Sequence, residues 1–184
     1  MSATIRGIVV ASIAVFLWGF LYWGANPVPY MAWEQAPDDR AAGQALLEHF
    51  PESGVYYLPG NGNPPELRAA LYESGPTGFV IIDRNGRPEM DPSIMMQGFA
   101  LNVLIICLLA GLLHVTASAT PSWGERFRVT LLAGAVAVTL VDFGHAVWWL
   151  IPWPWVLAQA FYDFTAVALM GAILAYFIRD PAEG

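Results

Sequence analysis

Six polar side chains stand inside stretches that are otherwise apolar. Asp142 and His145 lie three apart in one stretch, Gln159, Tyr162 and Asp163 follow at three- and four-residue spacing in the next, and Asn102 sits in an earlier one. Residues three or four apart share a face of a helix, so each set presents its groups together. Two carboxylates and an imidazole can exchange protons, hold a cation or orient a ligand. Four readings stay open. In the first the set is structural: Asp142 pairs with His145 or a neighbouring subunit, and the amides bond across helices. In the second, Asp142, His145 and Asp163 form a proton or quinone site. In the third, His145, oriented by Asp142 and flanked by Phe143, Trp148 and Trp149, contacts the metal of a haem or a (bacterio)chlorophyll. In the fourth, the two Asp and the His bind a metal ion, although their spacing matches no strong metal motif. His114 falls near the opposite membrane face, which argues against a bis-histidine haem within one chain.

The elements that position these groups read as membrane spans. The chain of 184 residues is 57% hydrophobic and 12% charged, against about 25% charged in a soluble domain. The apolar residues gather in four blocks, at about 7–25, 94–116, 127–151 and 155–178, each near the ~20 residues that a bilayer core requires. The first block ends in Tyr22-Trp23-Gly24-Ala25, where a cleavable signal peptide wants small residues, so it is read as an uncleaved anchor. The Pro152-Trp153-Pro154 turn is too short for anything but antiparallel neighbours. Counted from that turn, Asp142 and Asp163 lie at similar depth, about 12–14 Å in at ~1.5 Å per residue. A mid-span Asp costs ~2.5–3.5 kcal/mol on insertion scales, so two at one depth need a reason. Gly98, Gly111, Gly134, Gly144 and Gly171 let helix backbones approach.

Charge sets an orientation. All eight basic residues are Arg, and the net charge is −7. Arg6, Arg126, Arg128 and Arg179 flank the spans on one side, which places both termini in the cytoplasm and 26–93 outside, in the periplasm of a bacterial inner membrane. Tryptophans near the span ends suit interfacial belts. No basic cluster exists, so nucleic acid is not an expected partner. The single Cys107 permits no internal disulfide.

The pattern therefore predicts an all-α polytopic membrane protein with four transmembrane helices and a small α/β extramembrane domain between the first two. Its parts are an anchor at 1–25, the domain at 26–93 and a three-helix bundle at 94–184. Within 26–93, Asp38-Asp39 caps a helix over about 40–50. A strand at 54–59, a helix from Pro64-Pro65 to about Ser74 and a strand at 78–83 follow. About 65 residues make a thin core, so the domain is expected to lean on the bundle or on a partner. Gly60-Asn61-Gly62 is not a nucleotide loop, lacking both G-x-G-x-x-G and G-K-[ST]. His49 reads as a helix-end residue. Ser12, Ser118 and Ser122 have no His nearby, and nothing matches G-x-S-x-G, so no catalytic constellation supports an enzyme.

Leu17-Trp18-Gly19, Pro51-Glu52-Ser53-Gly54-Val55-Tyr56, Leu58-Pro59 and Gly75-Pro76-Thr77-Gly78-Phe79, followed by three spans, resemble a family of small bacterial inner-membrane proteins of no assigned function. The resemblance implies the architecture of anchor, short exported domain and three-span bundle, and it implies no activity, cofactor or site residue. Together these observations lead to the expectation of a non-enzymatic accessory subunit of a larger membrane complex, respiratory or photosynthetic, whose partners are other membrane subunits and lipids. The alternative is a small redox or proton-handling protein with a quinone or tetrapyrrole site at Asp142, His145 and Asp163.

Overall fold

Four helices are long and apolar enough to cross a membrane: Ala3–Gly24, Pro92–Val115, Trp123–Trp148 and Trp153–Phe177. They come from a computed structural model that describes residues 2–178. The chain is a helical membrane protein. In chain order, α1 (Ala3–Gly19) runs into a π-helical turn (Phe20–Gly24), and a 3₁₀ turn (Val28–Ala32) follows. Next come α2 (Asp39–His49), β1 (Gly54–Leu58), α3 (Pro65–Ser74), β2 (Gly78–Ile82) and α4 (Pro92–Val115). The third span joins α5 (Trp123–Val138), a second π turn (Thr139–Phe143) and α6 (Gly144–Trp148). The fourth span is α7 (Trp153–Phe177). Arg179 of the charge count lies outside the described residues.

The chain forms two compact units, Glu34–Asp91 and the remainder. In the spanning unit α7 is the hub, packing on α5, α1 and α4. Its core joins Ala11 and Val15 of α1, Ile106, Leu109 and Leu113 of α4, and Ala166, Met170 and Leu174 of α7. The closest approach is between α5 and α7. A Cβ added at Gly171 would stand 2.0 Å from Thr130 Oγ1, and one at Gly134 would stand 2.9 Å from Val167 Cγ1. Gly98 and Gly111, by contrast, have open space beside them. They fasten nothing within the described chain, so only part of the expected small-residue packing is realised there.

Residues 26–33 belong to the spanning unit, although the sequence grouped them with the exported domain. The reason is aromatic. The 3₁₀ turn packs on α7, Trp33 meets Trp155 with ring centroids 5.2 Å apart, and the Tyr30 hydroxyl donates to Trp23 O at 2.6 Å.

In the second unit, Asp38 caps α2 by accepting from the backbone N–H of Arg40 and Ala41 at 2.9 and 3.0 Å. Strands β1 and β2 pair antiparallel in the register Val55↔Ile81, Tyr56↔Val80 and Tyr57↔Phe79. Phe50, at the end of α2, packs on Tyr56 with centroids 4.7 Å apart. The Arg84 guanidinium donates to Leu47 O at 2.7 Å and also to Phe50 O, tying the end of β2 to α2. Gly75 closes α3 at φ 62°, ψ −178°, a conformation that is essentially glycine's own.

Candidate functional site

The third span positions Asp142 by interrupting its own helix. In a π turn each N–H reaches back five residues rather than four, so one extra residue is accommodated per turn. The turn at Thr139–Phe143 packs on α7. Asp142 lies in it at 6% exposure, within Coulombic reach of His145 and of Asp163 on α7. His145 is half-buried in α6, and its carbonyl oxygen anchors the next turn. It accepts from Trp149 N at 3.1 Å and from Ile151 N at 3.3 Å. This double closure bends the chain through Leu150, which adopts φ 56° where a helix end of this kind usually has glycine.

Asp163 is exposed and Gln159, four residues earlier on the same face of α7, is half-buried. Tyr162 turns towards α1 instead. Its hydroxyl oxygen would lie 2.9 Å from a Cβ on Gly19, and its ring stacks among Tyr22 and Trp23 at 5.5 and 5.4 Å. Asp142 thus lies within Coulombic reach of His145 on its own span and of Asp163 on α7, while Tyr162 turns to the α1 side. Asn102 is half-buried on α4, and no hydrogen bond among the described residues joins it or Gln159 to the others.

None of the six side chains donates or accepts a hydrogen bond among the described residues. Buried side-chain polar atoms within that range all have partners. The unbonded carboxylate oxygens of Asp142 therefore reach accessible surface rather than being sealed in. Such a carboxylate can take up or release a proton without breaking a structural bond. No three His, Cys, Asp or Glu side chains among the described residues close around a common point as metal ligands do. An open apolar groove of about 670 Å³ runs along the other face of the third span, lined by Leu132, Val136, Leu140, Phe143 and Trp148. His145 is not in its lining, so a tetrapyrrole seated there would not meet the imidazole.

The fastening bonds lie elsewhere, on residues that sequence reasoning missed. Trp18 Nε1 donates to Thr165 Oγ1 at 3.1 Å and the Tyr22 hydroxyl to Ala158 O at 2.9 Å, joining α1 to α7. Arg126, read from the sequence as a flanking charge, sits inside the first turns of α5 at 5% exposure. Its guanidinium donates to Ala175 O at 3.2 Å, Thr120 O at 3.0 Å and Pro121 O at 2.7 Å. Beside it, Trp123 Nε1 donates to Ala172 O at 3.1 Å. Helix α5 starts with a capping box: Ser122 N donates to the Glu125 carboxylate at 2.9 Å, and Glu125 N to Ser122 Oγ at 3.2 Å. That serine-to-acid spacing was the available sequence signal, and it places the helix start ahead of Arg126.

Comparison with protein-family models, curated proteins and solved structures finds no match.

Proposed function

We propose that this is a small bacterial inner-membrane protein whose Asp142, His145 and Asp163 exchange protons with a quinone-class carrier at the tryptophan-rich end of the bundle, the electrons being given to or taken from the carrier by a separate redox protein. One observation carries the reading. Asp142 in the π turn lies within Coulombic reach of both His145 and Asp163 of α7, and none of the three side chains is held by a hydrogen bond among the described residues. π turns are frequent at functional sites, and intramembrane acids commonly mark proton or ligand pathways. The orientation belongs to the same proposal: Arg6, Arg126 and Arg128 mark the cytoplasmic end, so residues 34–91 and the carboxylate pair face the periplasm.

The test uses the purified full-length protein in nanodiscs, titrated with a short-chain ubiquinone analogue while tryptophan emission is recorded. Saturable quenching in the wild type, weakened by Asp142→Asn or Asp163→Asn, is the expected result. Quenching that rises linearly with quinone and ignores both substitutions would contradict it.

A second reading is an accessory subunit of a larger membrane complex. It is favoured by the apolar flank of the third span, where Leu140 and Trp148 are 75% and 77% exposed. Gentle extraction tests it: co-migration with larger subunits, abolished by Leu140→Ala with Trp148→Ala, supports that role, and migration alone removes it.

A further inference from the structure

At the opposite end of the bundle a cavity of about 490 Å³ opens between the first turn of α1 and the last turns of α4 and α7, lined by Thr4, Arg6, His114, Tyr176 and Phe177. We infer that it binds a phosphate group, that of an anionic lipid headgroup. Three observations carry the inference. First, the lining side chains are chemically suited: Arg6 offers a planar fork of N–H donors that matches phosphate oxygens. Second, the site is fixed by an interhelical contact. Thr4 Oγ1 lies 3.2 Å from His114 Nε2, joining α1 to α4. Third, the depth is right. Arg6 stands in the first turns of its span, and His114 and Tyr176 are the next-to-last residues of theirs, the level at which headgroups meet helix ends.

The helix ends themselves pull in both directions. The first turn of α1 presents backbone N–H groups that have no intrahelical partner, which favours an anion. The ends of α4 and α7 present carbonyls, which favour cations. At α7 this pole is already met by Arg126 on Ala175 O and by Trp123 on Ala172 O. Among the described residues the Arg6 side chain makes no hydrogen bond or ion pair, which leaves its guanidinium for an outside anion.

The experiment is native mass spectrometry of the full-length protein released from nanodiscs containing phosphatidylglycerol and phosphatidylcholine. One phosphatidylglycerol per chain is expected to survive activation that strips phosphatidylcholine. Arg6→Gln should lower that retention about tenfold, while Arg6→Lys, which keeps the charge, restores most of it. Arg128→Gln, an exposed arginine at the same end outside the cavity, should change nothing. Unchanged helicity and elution show that Arg6→Gln is folded. Loss of the bound lipid on adding millimolar inorganic phosphate would keep the phosphate site and make its source a free anion. Equal retention of the two lipids, or equal loss in Arg128→Gln and Arg6→Gln, would overturn the inference.

Discussion

The Arg126 region and the Asp142 region of the bundle use their polar groups in opposite ways. At the arginine end, a buried guanidinium, a tryptophan N–H and a capping box are committed to backbone partners. Near the tryptophan end, Asp142 lies within Coulombic reach of His145 and of Asp163, and none of the three side chains makes a hydrogen bond among the described residues. A buried polar group stabilises a fold only by finding partners, and removing one side of such a bond strands the other. The arginine end is therefore fastened through its charged and capping groups, and the tryptophan end through Trp18 and Tyr22 rather than through its carboxylates. The Asp142 region carries polar groups that stability alone does not call for.

The sharpest way to break this contrast is to spoil the fastened side. Gly171→Ala drives a Cβ into Thr130, so α5 and α7 must separate. A loss of about 3 kcal/mol or more is expected, read as a collapsed thermal midpoint in circular dichroism of the detergent-solubilised protein. Arg126→Met follows. It leaves the carbonyls of Thr120, Pro121 and Ala175 without their donor, with an expected cost of about 2–4 kcal/mol in the same measurement.

The open side should respond differently. Asp142→Asn replaces a carboxyl group that no hydrogen bond among the described residues holds, so the thermal midpoint is expected to stay within about 0.5 kcal/mol of wild type. A loss as large as that of Arg126→Met would erase the distinction between the ends. Leu150→Gly tests the turn that aims His145. Relief of the left-handed backbone at φ 56° should stabilise by about 0.5–1 kcal/mol, after glycine's own entropy is set against the strain. Equal or lower stability would mean that the Leu150 side chain is held by something outside this chain.

The smallest effect lies in the 34–91 unit. The Tyr72 phenol is pushed above its usual range by burial, and then by a hydrogen bond with Tyr57. A phenol with a raised folded pKa holds its proton longer when folded than when unfolded. Its contribution is present below about pH 10 and is lost as pH rises beyond it. Tyr72→Phe should flatten that alkaline loss of stability, measured as the thermal midpoint against pH.

How much of this was legible depends on how local each cause is. The spans were legible because hydropathy over some twenty residues needs no tertiary knowledge. The second unit was legible through Asp38, Pro65 and Gly75, which act on their immediate neighbours. Helical spacing put Asp142 and His145 on one face, and the short turn put Asp163 at a similar depth on the next span. The π turns were not legible, because an extra residue in a turn leaves no mark in composition. Tyr162 shows the cost of reading one helix at a time. One residue away from Asp163, it turns about 100° and joins the aromatic rings on α1. Arg126 was misread for the opposite reason: flank arginines are normally solvated, and its three carbonyl partners come from segments that meet only in the fold.

The proposal that Asp142 and Asp163 exchange protons is most directly tested by an infrared pH titration of the reconstituted full-length protein, comparing wild type with Asp142→Asn, Asp163→Asn and the double variant. The expected result is a protonated-carboxyl stretch in the wild type that comes and goes with pH, is shifted by either single substitution and is absent from the double. Superimposable difference spectra for wild type and the double variant would contradict it, and the polar cluster would then be structural.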